Sequence, residues 1–135
     1  GNVVKRLAGY EILAHAMLAL SAGNPLVGGA ISTSVLAGVT GSASGGMGIA
    51  LEALGPKYME LAASDPKLSP EALHRVASVA SGGLDTLPHN GAVITLLSVC
   101  GLTHKDSYID IGMNCCVIPT IAVIICIIFA MFGIC

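Results

Sequence analysis

Charge is what this sequence most lacks. Charged residues make up 10% of its 135 positions, against roughly 25% in a soluble domain, and the few present are bunched. Ile12 to Ala50 contains no Asp, Glu, Lys or Arg, and neither does Ile111 to Cys135. Asp85 alone breaks the interval between Arg75 and Lys105. With 54% hydrophobic residues and a mean hydropathy of +0.84, the chain reads as a membrane protein. Lys/Arg clusters are missing and the net charge is -2, which argues against nucleic acid or an anionic lipid surface as the main partner. The five cysteines (Cys100, Cys115, Cys116, Cys126, Cys135) form no CxxC and no Cys/His metal spacing. They are expected to be small buried hydrophobes, with no metal site and no cofactor. No apolar run precedes a small-residue cleavage site, so no signal peptide is expected. The start at Gly1-Asn2-Val3-Val4 suggests a piece of a longer chain.

What is present is helical patterning with marked breaks. Val117 to Cys135 is a nineteen-residue apolar run, roughly 28 Å as a helix, close to the thickness of a hydrocarbon core. Pro119 is expected in the first turn of that helix, where its missing N–H costs nothing. The other apolar segments are too short or too interrupted to span and read as buried or re-entrant helices. Pro56 is expected to end a helix. Ser69-Pro70-Glu71 is a helix start, with Ser at the N-cap, and Gly82-Gly83 is a C-cap signal. The resulting map is a helix at about 3–20, a re-entrant hairpin over 25–63 (helices at about 25–41 and 45–63), a broken helix over 70–102 (about 70–82 and 90–102) and a transmembrane helix at about 112–135. The fold class is an all-α membrane protein.

Two polar breaks sit in the most apolar surroundings: "TGSASGGMG" from Thr40 to Gly48 and "LDTLPHNG" from Leu84 to Gly91. Non-helical backbone survives at membrane depth only if buried in protein or lining a wet cavity. Paired breaks of this kind point to a transporter's midplane binding site. A helix start leaves four N–H groups unpaired and carries about half a positive charge. Helices beginning near Ser44 and near Asn90 could therefore aim donors at one small carboxylate. Thr40, Gly41, Ser42, Ser44, Gly45 and Gly46 on one side, with Thr86, His89, Asn90 and Gly91 on the other, are the candidate substrate-binding residues. Asp85 is the candidate proton carrier, because an acid at bilayer depth is costly unless it has a function; His89 is the alternative carrier. Each feature has a plainer reading. Gly41 to Gly45 is also a GxxxG helix-packing pattern, Asp85 could accept N–H bonds at the second helix start, and His89 could be only a helix-start residue. His15, His74 and His104 are expected at the surface or interface.

"GLDTLPHNGAVITLL" followed by "CGLTHKDSY", with "TGSASGGMGIALEALG" upstream, resembles the C-terminal part of the gluconate permease (GntP) family of proton-coupled organic-acid transporters. The likeness is strongest from about Gly38 to Tyr108 and looks closer to the hydroxybutyrate-type permeases than to the gluconate ones. The resemblance implies one of two inverted repeats, each with a re-entrant hairpin and a broken helix, whose tips meet at the substrate. Thr40–Gly46 would be the hairpin tip and Asp85–Gly91 the broken-helix loop. In the wider group of ion-coupled carboxylate transporters to which that family belongs the tip reads Ser-Asn-Thr; here it is Ser42-Ala43-Ser44, so the group's cation site is not carried over. The implied partners are a small organic acid, a proton rather than sodium, the lipid bilayer, the N-terminal half of the same permease and a second copy in a homo-oligomer. The implied place is the inner membrane, with several passes. A membrane enzyme using Asp85 and His89 as an acid/base pair, and a structural module that packs helices through its GxxxG, are the rival classes.

Overall fold

The computed structural model describes residues 24–64 and 68–134, together with 9, 12, 15–17 and 19. The helix expected at about 3–20 therefore lies largely outside the described residues, although Met17 is buried against Leu54 and Tyr58. Every described element is helical: α1 (Pro25–Thr40), α2 (Ala43–Ser64), α3 (Pro70–Ser81), a single 3-10 turn (Leu84–Thr86), α4 (Gly91–Cys100) and α5 (His104–Met131). Helix α1 packs against α2 and α3, and α3 packs against α5.

Local chemistry sets the ends. Asn24 caps α1, its side chain accepting from the N–H groups of Leu26 (3.0 Å) and Val27 (3.5 Å), with Pro25 in the first turn. At the other end Gly41 adopts φ 60°. The Gly41 N–H returns to Gly38 O (3.3 Å) and the Ser42 N–H to Ala37 O (3.1 Å), the paired bonds of a Schellman stop that glycine makes without strain. Ser69 caps α3, its hydroxyl accepting from the Ala72 N–H at 3.0 Å.

The hairpin is tight. α2 begins at Ala43, so Ser44, Gly45 and Gly46 of the expected tip Thr40–Gly46 lie in its first turn. Gly46 is the point of closest approach: a Cβ there would overlap the backbone of Leu36 and Ala37. The small-residue contact thus falls on Gly46 and not on the Gly41/Gly45 pair, because Gly41 is spent on the turn. Small residues (Gly28, Gly29, Ala30, Ser32) also line the buried side of α1, and the Ser34 hydroxyl ties α1 to Ala80 O on α3 at 2.8 Å.

Three expectations need correction. Pro56 does not end a helix; α2 runs through it. The residue before it is Gly55, which has no Cβ to clash with the proline ring, and Pro56 is exposed; the lost helical bond and the crowding of the carbonyl four residues back remain as its cost. The last helix starts at His104 and not near 112. Its polar first turn is held by a capping box, the Asp106 carboxylate accepting from the Thr103 N–H (3.0 Å) and hydroxyl (2.6 Å). Pro119 consequently lies deep inside α5, immediately after a π-turn at Met113–Val117 whose Ile118 N–H bonds Met113 O. The described cysteines are not buried either: Cys100 is exposed and Cys115, Cys116 and Cys126 are half-buried, while Cys135 lies outside the described residues.

α5 is the one described helix long and apolar enough to cross a membrane. Along it only Val123 and Ala130 are buried, while Ile121, Ile124, Ile125, Ile128 and Phe129 stand open. A continuous apolar face of this kind is abnormal in water and ordinary against lipid.

Gly46→Ala should lower stability by about 1–3 kcal/mol, the usual cost of overpacking. Gly48→Ala should be neutral or gain up to about 1 kcal/mol from helix propensity, since its Cβ would meet nothing within 4 Å. Thermal unfolding of the two purified variants compares them; equal losses would mean that the α1–α2 crossing is not tight at Gly46.

Candidate functional site

The hairpin tip is organised around two hydroxyls. Thr40 Oγ1 donates back to Leu36 O at 2.8 Å, which keeps the last turn of α1 closed. Ser42 acts as the cap of α2: its Oγ accepts from the Gly45 N–H at 3.2 Å and its carbonyl from the Gly46 N–H at 2.8 Å. Ser44 Oγ lies 3.5 Å from Ser42 Oγ and is otherwise exposed. Helix geometry supplies no partner for the N–H groups of Ala43 and Ser44 in this first turn.

The broken-helix loop is an accounting problem in carbonyls. α3 ends at Gly82, whose φ of -86° is not left-handed, so the chain leaves by a 3-10 turn and not by a glycine-specific stop. Asn90 then gathers the loop: its Oδ1 caps α4 by accepting from the Ala92 N–H (2.5 Å) and Val93 N–H (3.3 Å), and its Nδ2 donates to Asp85 O. The Asn90 backbone N–H donates to Leu87 O at 2.8 Å. The remaining carbonyls are met from outside the loop. Tyr108 Oη donates to Thr86 O (3.2 Å) and His104 Nε2–H to Pro88 O (2.9 Å). Every carbonyl from Asp85 to Pro88 therefore has a donor, as an apolar environment demands.

The two loops lie directly against each other. His89 Nε2–H donates to Gly38 O at 2.8 Å, which requires the Nε2-protonated tautomer. A Cβ on Gly41 would touch His89 Cδ2 at 3.4 Å and Asn90 Cα at 3.5 Å, and one on Gly38 would press on Leu84 Cβ at 3.1 Å. The starts of α2 and α4 are thus brought to one place, with the first N–H of α4, that of Gly91, also lacking a helical partner. Along α5 the contacts of the broken-helix loop begin at His104 and reach Thr120, whose Oγ1 would lie 3.6 Å from a Cβ on Gly83. Thr120 is roughly 14 Å beyond Ile111, where the charge-free run begins. The loop therefore extends from the polar end of the candidate span towards its middle.

The candidate ligands divide accordingly. Thr40, Ser42 and Asn90 point their polar atoms into the protein, and Asn90 is only 5% exposed; these three build the loops. Thr86 Oγ1 is shared between Gly83 O (3.3 Å) and Cys116 Sγ (3.2 Å). Ser44 and His89 are exposed, and Gly41, Gly45 and Gly91 present backbone. Asp85 is half-buried, and its Oδ1 is a buried atom without a hydrogen-bond partner among the described residues. His104, Tyr108 and Cys116 were not foreseen as loop partners; His104 and Tyr108 lie in "THKDSY", on the far side of α4 from the LPHNG loop, and Cys116 in the apolar run beyond it.

No family model and no solved structure matches the chain. The sequence is similar to a protein of Bacillus subtilis (strain 168) named "Uncharacterized transporter YxjC", 54% identical over 111 residues, which cover 82% of this chain and 23% of that protein. The chain thus spans less than a quarter of the relative it matches.

Removal of the loop's organiser gives a measurable effect. Asn90→Ala should cost about 0.5–2 kcal/mol through loss of the cap and speed amide exchange at Ala92 and Val93. Asn90→Ser, which keeps a capping oxygen, should recover most of that protection. Equal exchange in both variants would mean that the cap does not hold the start of α4.

Proposed function

We propose that this chain is part of a membrane-embedded secondary transporter of small organic acids, such as gluconate or 3-hydroxybutyrate, taken up together with a proton. The observation that carries this reading is the contact between Gly41 and the His89–Asn90 segment, which puts two helix starts side by side in an otherwise apolar chain. The name of the Bacillus relative supports transport in general; the substrate and the coupling ion are our inference from the chemistry of the site and from the family resemblance. In this reading α1 and α2 form a re-entrant hairpin, and α3 and α4 form a broken transmembrane helix. The substrate carboxylate would be held by the N–H groups of Ala43, Ser44 and Gly91 and by the Ser44 hydroxyl. The second half of the site, and the inverted partner repeat, would come from the N-terminal half of the same permease, in a multi-pass protein of the inner membrane that assembles with its own copies.

Asp85 would carry the proton. An acid at bilayer depth is costly unless it has a function, and the Asp85 Oδ1 is buried without a hydrogen-bond partner among the described residues. His89 is the alternative carrier, through Nδ1, since Nε2 is committed to Gly38 O. That commitment also tells against the enzyme alternative, in which His89 would need to exchange protons freely with Asp85.

In the full-length permease, Ser44→Ala should weaken uptake of a small carboxylate about ten- to a hundredfold in apparent affinity, the worth of a hydrogen bond to a charged ligand, with membrane insertion unchanged. Unaltered affinity would remove the hairpin tip from the site. Asp85→Asn, a mimic of the protonated form, should keep carboxylate counterflow but lose accumulation driven by a proton gradient. Uncoupler-sensitive accumulation by this variant would make Asp85 structural.

A further inference from the structure

The polar groups that α5 sends to the broken-helix loop are not arranged as an ordinary α-helix would arrange them. His104 meets Pro88 O, Tyr108 meets Thr86 O, Cys116 Sγ lies 3.2 Å from Thr86 Oγ1, and Thr120 lies beside Gly83. At 100° per residue, His104 and Tyr108 are about 40° apart, but Cys116 would be roughly 80° and Thr120 roughly 120° away from Tyr108. Those last two side chains should face elsewhere. What intervenes is the π-turn at Met113–Val117. A π-turn takes up about one extra residue of rotation, roughly 100°. It brings Thr120 back to within about 20° of Tyr108 and turns Cys116, inside the turn, part of the way. Pro119, which cannot donate a helical bond, follows directly after it and suits a ladder already interrupted.

We propose that this π-turn sets α5 as a latch on the broken-helix loop, with Tyr108 as the positioning residue and Cys116 as its second point of hold. The latch supplies donors to the carbonyls of Thr86 and Pro88 from outside the loop, so the conformation in which Asp85 and the start of α4 are presented depends on α5. For its transport arm the proposal rests on the carboxylate site described above; the latch itself does not.

The test uses the full-length permease in detergent. Tyr108→Phe keeps the ring and removes the donor. It should speed amide exchange over residues 84–90 by about threefold to tenfold, the worth of one net hydrogen bond, while exchange at the α1–α2 turn stays unchanged. Cys116→Val should act in the same direction and Cys116→Ser should resemble the parent. Deleting Asn114, which restores an α-helical register, should loosen the loop although Tyr108 is intact. For uptake of 3-hydroxybutyrate or gluconate, Tyr108→Phe should raise the half-saturation concentration by a similar factor with the maximal rate within about twofold. Exchange over 84–90 that stays within twofold of the parent in Tyr108→Phe and Cys116→Val, or in the Asn114 deletion, overturns the latch. Faster exchange with unchanged half-saturation leaves the latch standing and removes the loop from the substrate site. If Tyr108→Phe does not fold, the Cys116 pair decides by exchange alone.

Discussion

A helix that breaks in an apolar medium must find a donor for each carbonyl it releases, and the rest of this structure is arranged around that requirement. Between Asp85 and Pro88 the donors come from one side chain inside the loop, Asn90, and from two on α5, Tyr108 and His104. Asn90 is central because it acts at both ends of its amide and through its backbone at once. Its Oδ1 starts α4, its Nδ2 closes the turn on Asp85, and its N–H holds Leu87 O. An unmet carbonyl in such surroundings costs several kcal/mol, so the loop has few conformations open to it. The hairpin tip follows the same rule with different groups, a Schellman stop at Gly41 and the Ser42 cap.

Much of the helix map was legible because caps are local chemistry. Ser69-Pro70 and Asn90 act within four residues of their own position, and α3 and α4 begin where they imply, while α3 ends at Gly82 without the left-handed stop that a glycine there suggests. The misread points were those where a local signal met a local exception. Pro56 is tolerated because Gly55 precedes it, and α5 extends back to His104 because Thr103 and Asp106 box its start. The π-turn left no trace in the apolar pattern, since a run of Met, Cys, Val and Ile looks the same in either register. Among the candidate site residues, the hydroxyls and amide nearest the helix ends were read as ligands. Yet a short polar side chain at a helix end bonds its own backbone first, and Thr40, Ser42 and Asn90 do so. Tyr108 and His104 reach the loop from 22 and 16 residues away, a relation that no spacing rule encodes.

The balance of donors and acceptors that remains bears on the kind of guest the proposed site would take. With the carbonyls from Asp85 to Pro88 already paired, the polar groups left at the two helix starts are the N–H groups of Ala43, Ser44 and Gly91, the Ser44 hydroxyl and the His89 ring. That surface suits an anion and offers little to a bare cation, which would want those same carbonyl oxygens. Asp85 stands against this background as the exception, an acidic side chain with a buried oxygen that has no hydrogen-bond partner among the described residues. On the proposed reading Asp85 would take up the proton as the substrate carboxylate is admitted, since like charges repel in a site of few donors. Coupling would then need no separate ion-binding cage, only a site whose donors suffice for one negative charge at a time.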